Sequence, residues 1–170
     1  MAVKLWTVHF MRICVANLLL FISLYVLFPV LSVEMADRLG VPAAQTGVIF
    51  LFFTLGMFLI GPFHAYLVDE YKRKHVLLYS ALIMLAAVLG YAFVDGYTKF
   101  LLLAAVQGAC FGLATTAGIT VAIDITTSAR RSAGNMVYAW AARLGMLVGV
   151  VLGIGMYKMY GFRMVTYLSV

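Results

Sequence analysis

Residues 13–33 read ICVANLLLFISLYVLFPVLSV, a stretch without a single Asp, Glu, Lys or Arg. An α-helix needs about 20 mostly apolar residues to cross the hydrocarbon core of a bilayer, and this stretch is long enough. Its apolar residues are continuous, whereas a membrane β-strand alternates apolar with polar residues. It is too long for the core of a signal peptide, and no small-residue cleavage site follows it. The stretch therefore predicts a membrane-spanning helix.

Similar stretches recur along the chain, in which 65% of the residues are hydrophobic and 11% are charged. Peptide groups in the hydrocarbon core must find hydrogen-bond partners within their own segment, so each stretch is predicted to be helical. The predicted helices cover residues 13–33, 46–68, 76–94, 100–123, 136–159 and 164–170. The sequence thus predicts an all-α membrane protein, a polytopic helical bundle with five complete transmembrane helices and the start of a sixth.

The sixth predicted stretch, residues 164–170, is too short to cross a bilayer. We therefore expect residues 1–170 to be a fragment, or one half, of something larger. The missing C-terminal part would be supplied by the same natural chain or by a partner chain.

The composition also excludes several classes of protein. The chain has too few polar residues to cover a water-soluble globule. Cys14 and Cys110 both lie in apolar stretches, which favours packing over a disulfide or a metal site. The net charge is +6, but the basic residues lie in short clusters between apolar stretches, where they set membrane orientation. We expect membrane lipid as a partner, and neither nucleic acid, a metal nor a cofactor.

The basic residues favour a cytoplasmic N-terminus, because positive charge accumulates in cytoplasmic loops. With that orientation, the cytoplasmic side would carry Lys4, Arg12, Lys72, Arg73, Lys74, Arg130 and Arg131. The outer side would carry Arg38, Lys99, Lys158 and Arg163. The sequence therefore predicts a multi-pass protein of the cytoplasmic (inner) membrane.

The connection between the second and third predicted helices resembles a known signature. Residues 65–74 read AYLVDEYKRK. They resemble the loop Gly-x-x-x-Asp-Arg-x-Gly-Arg-Arg/Lys of the major facilitator superfamily, with Asp69, Arg73 and Lys74 in matching positions. Ala65 and Glu70 depart from that pattern, as does the lysine at position 72. Taken alone, the same residues also fit an ordinary cytoplasmic loop with an acid at a helix end.

Further partial matches follow in the order in which the family carries them. They are Gln107-Gly108, residues 124–134, the stripe Gly145, Gly149 and Gly153, and Tyr160-Gly161-Phe162-Arg163. The stripe is similar to the glycine-rich motif of the family's antiporters, without its proline. Together the matches cover the chain and resemble the N-terminal half of a major facilitator transporter.

This resemblance implies a function in solute transport. The chain would contribute to a secondary active transporter that moves a small organic solute across the cytoplasmic membrane by alternating access. The glycine stripe implies proton-coupled efflux, and an uptake symporter of the same family is an alternative. No acid lies within the predicted helices, so we expect any coupling carboxylate to belong to the missing half.

Arg143 is the clearest candidate for a substrate contact, because it lies inside a predicted helix. A charge at that depth costs about 2.5 kcal/mol even on the mildest scale. Two residues from Gly145 correspond to about 200° around a helix, away from the stripe and toward a possible cavity. There Arg143 would suit an anionic solute. The alternative is a side chain that reaches back to the lipid headgroups.

The first and fourth predicted helices line the cavity in the family that the chain resembles. Asn17, Tyr25 and Gln107 are therefore further substrate-cavity candidates. The glycines of the fifth predicted helix, together with Gly108 and Gly112 of the fourth, predict close helix packing. Whether the stripe also blocks proton leak is a separate hypothesis.

We expect Asp69, Arg73, Lys74 and Asp124 to form a charge cluster at one membrane surface. Such contacts could hold one conformation of a transporter closed and break when it rocks. The alternative is a set of solvated charges worth about 0–1 kcal/mol.

An enzyme and a non-transporting membrane subunit are the two alternative classes of function. Neither Gly-x-Ser-x-Gly nor His-Glu-x-x-His occurs, and His9, His64 and His75 all lie near helix ends, so an enzyme is not predicted. A non-transporting membrane assembly subunit would share the packing glycines, but would not need Arg143 inside a helix.

Overall fold

The computed structural model describes residues 6–170, and within them it contains helices and no strand. Lys4, which contributes to the predicted charge bias, lies outside the described residues. The helices are α1 (Val8–Leu39), α2 (Ala43–Thr46), α3 (Val48–Glu70), α4 (Arg73–Phe93), α5 (Tyr97–Asp124), α6 (Arg131–Tyr160) and α7 (Phe162–Leu168). A single 3₁₀ turn, Ser128–Arg130, precedes α6.

Five of these helices, α1, α3, α4, α5 and α6, are long and apolar enough to cross a membrane. Many of their large apolar side chains point outward; Phe58 is 75% exposed and Leu147 is 65% exposed. A water-soluble protein rarely exposes so much contiguous apolar surface. The chain is therefore a multi-pass helical membrane protein, as its sequence predicts.

Helix α1 is longer at both ends than the apolar stretch that predicts it. It begins after Thr7, whose side chain accepts a hydrogen bond from the backbone N–H of Phe10 at 3.2 Å. It ends at Gly40, where φ is +62°, a left-handed conformation that glycine adopts without strain. Its 32 residues span about 48 Å, more than the hydrocarbon core of about 30 Å. The helix thus extends beyond the apolar layer, and its last turns carry charged side chains.

Successive helices run in alternate directions, so the bundle has two end surfaces. We call the end that carries Arg12, Lys72–Lys74 and Arg130–Arg131 the basic face, and the opposite end, with Gly40, Asp95 and Gly161, the far face. Helix α1 packs mainly against α6, and α5 packs against both α3 and α4. The short α7 lies against α1, α4 and α6.

Glycines bring helix backbones close together at two helix interfaces. A Cβ added to Gly145 would lie 2.6 Å from the carbonyl oxygen of Leu18 in α1, and one added to Gly149 would lie 2.9 Å from that of Ile22. On α5, a Cβ at Gly108 would collide with the backbone of Phe53 in α3. Only glycine allows these approaches. Together with the packing of α4 against α5, they divide the bundle into an α1–α6 pair and an α3–α4–α5 group.

Aromatic rings join the pair to the group. Phe21, Tyr25 and Phe28 of α1 form a closed cycle with Phe53 of α3 and Phe111 of α5. Neighbouring ring centroids are between 4.8 Å and 6.3 Å apart. These separations suit the edge-to-face and offset arrangements that aromatic pairs prefer.

Candidate functional site

The charge cluster predicted at a membrane surface lies on the basic face. Arg73, in the first turn of α4, donates from Nη1 to both carboxylate oxygens of Asp124 at the end of α5. Its Nη2 lies 3.6 Å from Oδ1 of Asp69 in the last turn of α3. One guanidinium therefore joins the ends of three helices. A role for this cluster as a gate stays a prediction.

Solvent exposure limits what this cluster contributes to stability. The exposed fraction of the side chain is 36% for Arg73, 46% for Asp124 and 74% for Asp69. Exposed ion pairs contribute about 0.2–1 kcal/mol each. Such a weak tie can break and re-form during a conformational change. Lys74 is also exposed, and it borders the grooves next to this cluster.

Arg143 lies on the outward side of α6, opposite the glycines that contact α1. Helix α6 begins at Arg131, so Arg143 lies about 18 Å along it. Its Cζ is 5.7 Å from the ring centre of Trp140, one turn nearer the basic face. This cation–π contact contributes about 0.5–1 kcal/mol at an exposed site. Both side chains are exposed, so the guanidinium is open to a ligand or to lipid.

Asn17 belongs to the contact between α1 and α6. Its Nδ2 donates to the backbone oxygen of Tyr138 at 2.9 Å, and the side chain is buried. Asn17 also lines a mostly apolar groove of about 510 Å³ between α1 and α4. Its amide therefore has a structural partner, and a role in solute binding stays a prediction.

Tyr25 is half-buried in the cycle of aromatic rings. Its ring lies parallel to that of Phe21, with an interplanar angle of 10°, and its centroid is 5.6 Å from that of Phe28. Its Cβ lies beside Gly149, where a methyl group would come within 2.9 Å of it. The glycine therefore makes room for the base of the Tyr25 side chain.

Gln107 lies in the interior of the bundle, fully buried between α4 and α5. Its Oε1 accepts a hydrogen bond from the hydroxyl of Tyr91 at 3.0 Å. Among the described residues, no group pairs with its Nε2. Its amide therefore has one structural partner, and a role in solute binding stays a prediction.

A second polar cluster, which the sequence reading did not identify, lies on the far face. We call Glu34, Asp37, Arg38, Asp95 and Tyr157 the far-face network. Arg38 forms an ion pair with Asp95, and its Nη1 lies 3.8 Å from Oε1 of Glu34. The hydroxyl of Tyr157 is 3.3 Å from Oδ2 of Asp37 and 3.5 Å from Oε2 of Glu34.

Part of this network has a sequence signal. Glu34 and Arg38 have the i, i+4 spacing that places them on one helix face. Hydropathy does not place them in a helix, because the apolar stretch ends at residue 33 and charged residues after it are typical of a connecting loop. The partners Asp95 and Tyr157 come from distant segments and become visible only with the fold.

No group of His, Cys, Asp and Glu that could hold a metal ion occurs in the part of the chain that the structure describes. The charged and aromatic site residues form four groups: Arg143 on α6, the aromatic cycle around Tyr25, and a charge cluster at each end of the bundle.

Comparison with known proteins gives one family. The sequence profile of the Major Facilitator Superfamily matches residues 13–170, nearly the whole chain. Comparison with curated proteins gives no match. The helical bundle and the profile agree on the same architecture, and the family consists of membrane transporters. The chain therefore belongs to the major facilitator superfamily.

Proposed function

We propose that this protein exports a small organic solute across the cytoplasmic membrane in exchange for protons. The observation that carries this proposal is the contact between the glycine stripe of α6 and the backbone of α1. A continuous backbone contact leaves no room for a water file between these helices. A transporter that exchanges a solute for protons must prevent such a leak.

The solute site would combine the aromatic cycle with a charge. The half-buried rings around Tyr25 offer an apolar surface on which a flat organic group can stack. Arg143, on the outward side of α6, would attract a carboxylate or another anionic group. These features favour an anionic aromatic compound. A second helical half, from the same natural chain or from a partner, would complete the cavity.

The two ends of the bundle would act in the alternating-access cycle. We expect the N-terminus and the basic face to be cytoplasmic, because most basic residues in connections lie there. The cluster of Asp69, Arg73 and Asp124, with Lys74 beside it, would stabilise one conformation and release in the other. Exposed ion pairs are weak enough for such a cycle.

Transport of a dye tests the proposal. The natural full-length protein is reconstituted in vesicles, and movement of the anionic aromatic dye fluorescein is followed with and without an imposed pH gradient. We expect the gradient to drive the dye against its concentration, with proton movement in the opposite direction. Uptake together with protons would instead identify a symporter. A preparation that moves neither would favour a subunit without transport.

Variants of Arg143 separate its two possible roles. Arg143→Lys keeps the charge, and Arg143→Ala removes it. If the guanidinium binds the solute, the alanine variant loses at least about tenfold in apparent affinity for the dye, which corresponds to 1.4 kcal/mol. A side chain that only reaches the headgroups would leave this affinity unchanged in both variants. Lys99→Ala, which removes an exposed charge at the start of α5, is the control.

A further inference from the structure

Arg38 of the far-face network stands between two carboxylates. It lies in the last turn of α1, and its Nη2 donates to Oδ1 of Asp95 in the connection between α4 and α5. Its Nη1 lies 3.8 Å from Oε1 of Glu34, one turn earlier in α1. The exposed fraction of the side chain is 77% for Asp95 but 13% for Glu34. The guanidinium is thus closer to the carboxylate that needs it less.

Tyr157 of α6 has a similar position between two acceptors. A tyrosine hydroxyl can donate one hydrogen bond at a time. Its oxygen is 3.3 Å from Oδ2 of Asp37 and 3.5 Å from Oε2 of Glu34, so Asp37 has the shorter contact. Each donor near Glu34 is therefore held more closely by another carboxylate.

These two contacts leave Glu34 as a poorly compensated carboxylate. A carboxylate shielded from water needs a countercharge or a donated hydrogen bond, and otherwise it favours the protonated form. The titratable and charged groups that face it are Asp37 and Arg38 on its own helix, Tyr157 on α6, and Asp95 through Arg38. Of these only Arg38 is positive, and it is shared.

We propose that Glu34 is a proton-binding site whose occupancy is linked to the Arg38–Asp95 contact. When Glu34 takes a proton from water at the far face, its charge is neutralised and Arg38 pairs with Asp95 alone. When Glu34 returns the proton to water, the carboxylate draws Arg38 away from Asp95. No other reactant is needed. The structure, with Arg38 on Asp95, has the arrangement of the protonated state.

The linkage reaches beyond these side chains because the contact joins two parts of the bundle. Arg38 belongs to the α1–α6 pair, whereas Asp95 belongs to the α3–α4–α5 group. Proton binding at Glu34 would therefore strengthen the tie between pair and group at the far face. The use of this proton to drive a solute rests on the proposed function; the linkage itself does not. Contrary to the sequence-based expectation, a coupling carboxylate then lies within this chain.

The linkage can be measured without any solute. Spin labels are attached to Thr98→Cys at the start of α5 and Met159→Cys at the end of α6, with Cys14 and Cys110 replaced by alanine. Both labelled positions are exposed and outside the far-face network. We expect the distribution of label distances to change between neutral and acidic pH. The matched control is Glu70→Gln, which removes an exposed carboxylate at the basic face and should leave this change intact.

Three variants of the network test the assignment. Glu34→Gln mimics the protonated side chain, so its distances should stay in the acidic distribution at every pH. Glu34→Asp keeps a carboxylate and should restore a pH-dependent change. In Asp95→Asn the contact that Glu34 controls is missing, so the distances should stay in the neutral-pH distribution at every pH. A parent protein without any change, or a Glu34→Gln variant that changes like the parent, would overturn the proposal.

A transport measurement separates this proposal from the proposed function. Proton movement that accompanies fluorescein is compared in the parent and in Glu34→Gln. If the parent moves dye without protons, proton coupling fails, and the label distances alone decide whether Glu34 binds a linked proton. If the parent moves both, the glutamine variant should lose proton-driven accumulation and keep downhill dye movement. Equal proton movement in both proteins would refute Glu34 as the coupling site.

Discussion

A methyl group added to Gly145, the first glycine of the stripe, should weaken the contact between α1 and α6. In Gly145→Ala the added Cβ would lie 2.6 Å from the carbonyl oxygen of Leu18 and 2.8 Å from Cβ of Phe21. Ordinary carbon–oxygen contacts are about 3.3 Å or longer, and carbon–carbon contacts about 3.5 Å. Both comparisons give a deficit of about 0.7 Å, by which α6 would have to move away from α1.

A displacement of that size has a measurable effect on stability. A gap of 0.5–1 Å removes about a quarter to a half of the dispersion attraction across a contact. Overpacked positions typically lose about 1–3 kcal/mol. We therefore expect Gly145→Ala to lower the free energy of unfolding by about 2 kcal/mol, or roughly 30-fold in the ratio of folded to unfolded protein.

The assay is reversible unfolding in mixed detergent micelles, followed by circular dichroism. Gly155→Ala is the matched control, because it makes the same change on the same helix where nothing lies within 4 Å of the added Cβ. It should change stability by no more than about 0.5 kcal/mol. Equal stability of the two variants would refute the view that the glycine stripe sets the distance between α1 and α6.

Three further predictions concern polar contacts, each measured by the same unfolding assay. Tyr91→Phe removes the hydrogen bond to the buried amide of Gln107 and should lower the free energy of unfolding by about 1–3 kcal/mol. Adding Gln107→Leu to this variant should recover most of the lost stability. If the double variant recovers none, the pairing is contradicted. Asn17→Leu loses a hydrogen bond to the backbone of α6 and should cost about 0.6–1 kcal/mol. A double-mutant cycle with Arg73→Gln and Asp124→Asn should give a coupling energy below about 1 kcal/mol, and a larger value would show that the pair is shielded from water.

The sequence predicts the helices well because the membrane imposes a simple rule on it. Stretches of about twenty apolar residues can only be helices in a bilayer. The number and order of the helices therefore follow from the positions of the apolar stretches along the chain. The helix ends follow other rules. Helix α1 ends at Leu39 because Gly40 takes a left-handed conformation, and hydropathy does not contain this information. Hydropathy therefore predicts no helix for the last six residues of α1, Glu34 among them.

Side-chain environments are harder to predict than helices. Glycine spacing identifies the packed face of α6, since residues four apart share a helix face. The family resemblance makes Gln107 a cavity candidate, but it gives no sign that the side chain is buried and accepts a hydrogen bond from Tyr91 on the neighbouring helix. The pairing of Arg38 with Asp95 likewise depends on how α1 lies against the α4–α5 connection. Such contacts between distant segments require the assembled bundle.

The packing of α1 against α6 also affects how the protein folds during synthesis. Leu18 meets a residue, Gly145, that is synthesised well over a hundred positions later. At the usual speed of translation, that interval is on the order of ten seconds. During that time α1 must reside in the bilayer without its principal neighbour. A substitution that weakens the α1–α6 contact would leave the incompletely folded chain exposed to quality-control proteases. The abundance of the protein in the cell would then fall.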